Sequence, residues 1–140
     1  MRAGLSGRTI LVLEDEPLIA FDLEMTLEDA GASVLGPTHS EAEAMAAIDA
    51  VVAAPGEPVA IDCAVLDVHL GANTCEAVAL RLVDMEIPLV LHSGHAKPDE
   101  GFIRRLAAPI VRKPAPASAL VDVLISAISE TPNKTPFGQN

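Results

Sequence analysis

The chain has 140 residues, enough for one domain with a proper core, and half of them are hydrophobic, which excludes global disorder. Nine Lys and Arg against twenty Asp and Glu give a formal net charge of -11. That balance argues against nucleic acid and against anionic membrane surfaces, and favours basic protein surfaces or a divalent cation as partners.

Met1 to Gly7 reads as a short, non-helical extension. Arg8 to Leu13 is a buried strand that ends in three acids, Glu14-Asp15-Glu16. Pro17 suits the first turn of a helix. Leu18, Ile19, Phe21, Leu23, Met25, Leu27 and Ala30 then recur at three- and four-residue spacing, which predicts an amphipathic helix to about Ala30. Gly31 is a suitable stop. Ser33 to Gly36 is a short second strand. Ser40 with Glu43 forms a capping box for a helix that runs through Ala44, Ala47, Ile48 and Val51. Ala53 to Pro58, with two prolines and a glycine, is a loop.

Cys63 to Leu66 is a third strand, nonpolar on both faces, and it delivers Asp67 at its carboxyl end. A Gly-Ala-Asn-Thr loop follows, and Asn73 or Thr74 starts a helix whose apolar set is Val78, Leu80, Leu82, Val83 and Met85. Pro88 to Leu91 is a fourth strand, ending at His92-Ser93-Gly94-His95. Lys97-Pro98 begins a weaker helix with Phe102, Ile103 and Leu106 as its anchors, and the segment from His92 to Leu106 is expected to be the mobile part of the domain. Pro109 to Val111 is a fifth strand, ending at Arg112-Lys113-Pro114. Pro116 to Ile128 is a last helix, amphipathic through Leu120, Val123, Leu124 and Ile128, and the tail from Glu130 to Asn140 is expected to be disordered.

The order is βαβαβαβαβα. Such alternation predicts an α/β fold, a doubly wound parallel sheet with helices on both faces and right-handed crossovers. One domain spans about residues 8–129. Cys63 and Cys75 lack any metal or CxxC spacing and read as buried thiols. With no long apolar span and no signal pattern, the expected location is the cytoplasm.

In open α/β sheets ligands bind at the carboxyl ends of the strands, and four such ends here carry polar groups: Glu14-Asp15, Asp67, Ser93 and Lys113. Singly, each has a plain reading as a turn, a cap or a solvated strand exit. Together, if the first and third strands are neighbours, Glu14, Asp15 and Asp67 share one pocket, where like charges repel unless a cation is present. A few carboxylates plus waters suit Mg²⁺. Carboxylates, Mg²⁺, a lysine and a hydroxyl around one exposed aspartate make a phosphoryl-transfer site with Asp67 as nucleophile. A small flavodoxin-like enzyme or nucleotide binder is the rival reading, but neither a GxGxxG nor a Walker-type loop follows the first strand.

The segments Leu13-Glu14-Asp15-Glu16-Pro17, Val65-Leu66-Asp67-Val68-His69-Leu70, Leu91-His92-Ser93-Gly94 and Val111-Arg112-Lys113-Pro114 resemble, in order and spacing, those of the CheY-like receiver domains of two-component response regulators. The resemblance covers about Arg8 to Ile128. It implies a flavodoxin-like fold with five strands in the order 2-1-3-4-5 and five helices. It implies Asp67 as phosphoacceptor, Ser93 as switch hydroxyl and Lys113 as the family lysine. It implies Mg²⁺ or Mn²⁺ at Glu14, Asp15, Asp67 and the backbone carbonyl of His69, and phosphorylation and dephosphorylation at Asp67 that depend on that ion. The implied partner is a histidine kinase or phosphotransfer protein, and the implied role is that of a single-domain regulator or phosphate sink. An unphosphorylated protein-binding module is the alternative. Ile110 stands where the family often has an aromatic, and Pro88 to His95 resembles the Pro-Phe-x-Phe-Ala-Thr-Gly-Tyr variant of one receiver subgroup, in which Gly94 would free the following loop. His69 and His95 would flank the phosphoryl group, with ordinary rim positions as their plain reading.

Overall fold

In a computed structural model, residues 4–53, 61–94, 101–106 and 108–130 are described. The expected 54–58 loop, His95, the start of the fourth helix at Lys97-Pro98 and the expected tail beyond Glu130 lie outside them. The elements are β1 (Thr9–Leu13), α1 (Pro17–Asp29), β2 (Ser33–Thr38), α2 (Glu41–Ala53), β3 (Cys63–Asp67), β4 (His69–Leu70), β5 (Asn73–Thr74), α3 (Glu76–Asp84), β6 (Leu89–Ser93), α4 (Gly101–Leu106), β7 (Ile110–Arg112) and α5 (Ala117–Glu130). The five long nonpolar runs form one sheet in the order β2-β1-β3-β6-β7, with every pair parallel. Counting only these strands, this is the expected order 2-1-3-4-5. It reverses between β1 and β3, which is the switch point where such sheets bind ligands.

Strand residues alternate between two apolar layers because their side chains alternate between the faces of the sheet. Leu11, Leu13, Ala64, Leu66, Leu89 and Leu91 pack with Ala44 and Ile48 of α2, Val78 and Leu82 of α3, and Phe102 and Ile103 of α4. Ile10, Val12, Cys63, Val65, Val90 and Val111 pack with Leu23 and Leu27 of α1 and Leu120 and Leu124 of α5. Leu5, ahead of the first strand, is fully buried in this second layer, and its N–H donates to Ala30 O at 2.9 Å.

Several local expectations change. The second strand continues past Gly36 to Thr38. Gly36 adopts φ +110, and a Cβ there would meet Thr38 N at 2.5 Å and Val12 O at 3.2 Å, so this bend needs glycine. The register shifts between Leu11↔Leu35 and Leu13↔Thr38, and the Thr38 hydroxyl donates to Val12 O at 2.7 Å. The expected Gly-Ala-Asn-Thr loop holds a small antiparallel hairpin, β4 with β5, so α3 starts at Glu76 rather than at Asn73 or Thr74. The Glu43 carboxylate accepts the N–H of His39 at 2.8 Å while Glu43 N–H donates to Ser40 Oγ at 3.1 Å, a capping box displaced by one residue. The last helix runs to Glu130, past the expected end at Ile128. Cys63 and Cys75 are buried free thiols, as expected, and burial pushes each up to about 12. No helix among the described residues is long and apolar enough to cross a membrane.

Candidate functional site

Four strands carry the same local pattern: a valine in the α1/α5 layer, then a residue of opposite facing, then a titratable side chain. The triplets are Val12-Leu13-Glu14, Val65-Leu66-Asp67, Val90-Leu91-His92 and Val111-Arg112-Lys113. A period of two puts the third residue of each triplet on the face of its valine. The registers bring the strand ends level, with Leu13 opposite Leu66, Asp67 opposite His92 and His92 opposite Val111. Backbone bonds carry the ladder past the strand ends: Glu14 N–H donates to Thr38 O at 2.9 Å, Val68 N–H to His92 O at 3.3 Å, and Lys113 N–H to Ser93 O at 2.7 Å.

Lys113 lies one step higher and its ammonium bridges two carboxylates. Its Nζ is 2.8 Å from Glu14 Oε1 and 3.1 Å from Asp67 Oδ1. The Glu14 and Asp67 side chains are only 1% and 5% exposed, so these are desolvated ion pairs that salt screens weakly. The second Glu14 oxygen accepts the Glu16 N–H at 3.1 Å, and His39 Nδ1 lies 3.0 Å from the Glu14 carbonyl oxygen. Burial, followed by the neighbouring Glu14 carboxylate, pushes the Asp67 carboxyl up to about 7 against the opposing pull of Lys113. For Lys113, burial alone would lower the pKa, and the Glu14 and Asp67 carboxylates more than offset it and raise it.

Asp15 points the other way and is exposed. Oxygens of Glu14, Asp15 and Asp67 nevertheless lie within 4.8 Å of one another. They open onto a cavity of about 580 Å³, which His69, Gly94 and Lys113 also line. Three hard oxygen donors beside open solvent space fit Mg²⁺ or Mn²⁺, which keep several waters. The set thus joins a desolvated carboxylate, a fixed ammonium and a cation-compatible rim around one oxygen, an arrangement that suits an incoming phosphoryl group.

Ser93 is 1% exposed and belongs to the opposite facing of β6, with Leu89 and Leu91. Among the described residues, a Cβ at Gly94 would meet only Lys113 Cδ, at 3.9 Å, an ordinary contact. Ile110 is 38% exposed at the sheet edge, and Phe102 and Ile103 hold α4 down with 4% exposure each. The residue that sequence reasoning passed over is His92. It is 5% exposed, with Nδ1 4.0 Å from Glu14 Oε1. The valine triplets are the signal that could have found it, since they place His92 in the same series as Glu14, Asp67 and Lys113.

No protein-family model matches the chain. A curated relative, the phyllosphere-induced regulator PhyR of Methylorubrum extorquens, is 29% identical over 119 residues. The match covers 80% of this chain, and this chain spans about two fifths of that relative, 41%. Among solved structures, a response regulator receiver protein of Sinorhizobium medicae is 27% identical, with a TM-score of 0.67, covering 89% of this chain and 96% of that one. A CheY-like receiver domain protein of Methanospirillum hungatei shares the fold at 18% identity and a TM-score of 0.73, covering 89% and 95%. The response regulator TrrA of Thermotoga maritima, in complex with Mg(2+)-BeF, shares it at 19% identity and a TM-score of 0.70, covering 86% and 98%. The sheet order, the switch-point placement of the acids and these likenesses converge: the chain has the fold of CheY-like receiver domains and is similar in sequence to response regulators.

Proposed function

We propose that this domain accepts a phosphoryl group on Asp67 from a histidine kinase or phosphotransfer protein and signals through protein contacts. The observation that carries the reading is the Asp67 side chain, 5% exposed yet lining an open cavity, with the Lys113 ammonium 3.1 Å from its Oδ1. In the transfer, an Asp67 oxygen attacks phosphorus, the P–N bond of the phosphohistidine donor breaks, and the leaving imidazole nitrogen keeps the electron pair. Lys113 offsets charge on the phosphoryl oxygens. Ser93, buried on the opposite facing of the adjacent strand end, would turn its hydroxyl toward Asp67 to hold the phosphoryl group once attached. Glu14, Asp15, Asp67 and the His69 carbonyl would hold Mg²⁺ or Mn²⁺, which would neutralise phosphoryl charge. A Mg(2+)-BeF complex in a protein of the same fold supports that choice of metal.

The docking surface of a donor would begin at Leu18, which lines the same cavity and is 76% exposed. A small phosphodonor such as acetyl phosphate, with Mg²⁺, should add one phosphate labile to both acid and base. Asp67→Asn should abolish it, and equal labelling of that variant at other sites, mapped by mass spectrometry, would overturn the assignment. The lifetime of the phosphate separates an output role from a sink.

A further inference from the structure

His92 sits in the register position opposite Asp67 and on the same face of the sheet as Glu14 and Lys113. Its Nδ1 is buried and has no hydrogen-bond partner among the described residues. A buried ring nitrogen without a partner is unfavourable, and such atoms in folded proteins call for an explanation. Glu14 Oε1 lies 4.0 Å from the His92 Nδ1, about 1 Å beyond hydrogen-bonding reach. That oxygen is engaged by Lys113 at 2.8 Å, in an orientation that makes an ion pair without a directed hydrogen bond.

The same ammonium also serves Asp67. A phosphoryl group on Asp67 would be a third anion beside one lysine. If Lys113 turns toward it, the buried Glu14 Oε1 loses the ammonium that pairs it. We propose that His92 is a positioning residue of this site, whose Nδ1–H takes over Glu14 Oε1 as Lys113 turns from that carboxylate to a phosphoryl group on Asp67. The inference rests on the reading of Asp67 as phosphoacceptor.

Two further observations fit. Burial, followed by the Lys113 charge, lowers the His92 pKa against the pull of Glu14. The ring lines a second cavity of about 140 Å³ between α1 and α5, together with Asp22, Thr26, Lys113 and Leu120. Asp22 is the charged group that α1 presents there.

The test uses the whole chain with ¹⁵N-labelled histidine. Adding Mg²⁺ and beryllofluoride should convert the His92 Nδ1 signal to that of a protonated, hydrogen-bonded nitrogen with a slowly exchanging proton. His92→Leu should slow phosphorylation by acetyl phosphate roughly ten-fold, the scale seen when a group that orients a site residue is lost, and His92→Gln, which keeps a donor, should restore most of it. Equal losses in the two variants would mean that the ring only fills space, and would overturn the proposal. So would beryllofluoride loading, seen by fluorine resonances, that leaves the His92 ring unchanged. Neither reading survives if the wild-type protein fails to load and is not labelled on Asp67. Loading with an unmoved ring removes this inference alone.

Discussion

At the scale of single residues, one ammonium holds two carboxylates inside the protein, and burial decides the chemistry of each. Asp67 is raised to about 7 by desolvation and by Glu14. In the unfolded chain an aspartate titrates near about 3.9. The folded state therefore holds this proton more tightly. The stability it contributes is fully present below about pH 4 and is lost as pH rises to about 7. Without divalent ions, urea midpoints of the wild type should fall between pH 4.5 and 7.5 relative to those of Asp67→Asn, in which this limb is absent. Glu14→Gln should narrow the window, because it removes the second largest cause of the shift. An unchanged difference between wild type and Asp67→Asn across that range would refute the electrostatic account.

At the scale of elements, α1 shows how spacing and burial part company. The spacing of its apolar residues predicts one amphipathic face. In the fold Ala20, Leu23 and Leu27 are buried, while Leu18, Phe21 and Met25 form a second stripe at 76%, 60% and 46% exposure. Leu80 and Val83 of α3 are likewise about half exposed, at 47% and 48%. Leu27→Ala should cost about 2–5 kcal/mol of stability, the range for deleting a buried leucine. Phe21→Ser should stay within about 0.5 kcal/mol, as surface changes do. Urea denaturation of the two variants measures both, and a comparable loss in each would mean that the outer stripe packs after all. Gly36→Ala should cost on the order of 1–3 kcal/mol, because alanine would have to hold φ +110 with its Cβ against backbone.

For the whole molecule, a chain with an excess of acids folds into a site that concentrates three of them. A divalent ion bound only by the folded state stabilises it by mass action, about 1–2 kcal/mol at roughly ten-fold over Kd. Mg²⁺ should raise the melting temperature by roughly 2–6 °C for a domain of this size. NaCl at matched ionic strength is the control for simple screening. Asp15→Ala should erase the Mg²⁺-specific part and raise the stability of the metal-free protein, since Asp15 is a like charge that no ion pair offsets among the described residues. A Mg²⁺ increment that survives both Asp15→Ala and Asp67→Ala would place the metal elsewhere.

Much of this protein was legible in the chain itself. Short nonpolar runs of three to six residues between helix-period segments imply a parallel sheet buried on both faces, and a buried sheet leaves its polar residues at the strand ends. Glu14, Asp67 and Lys113 could therefore be placed at one rim before any coordinates. What sequence could not supply is register and facing relative to neighbours. Only the sheet shows that Glu14 turns inward and Asp15 outward, because an acid pair on adjacent residues must split between two directions. Only the pairing of Asp67 with His92 turns an apparently incidental histidine into a neighbour of the ion pairs. The extension of β2 past Gly36 and the β4–β5 hairpin depend on backbone contacts with distant strands or on two-residue pairings too short for a periodic signal. The outer stripe of α1 is apolar by composition, and tertiary packing alone decided that the sheet would cover the other one.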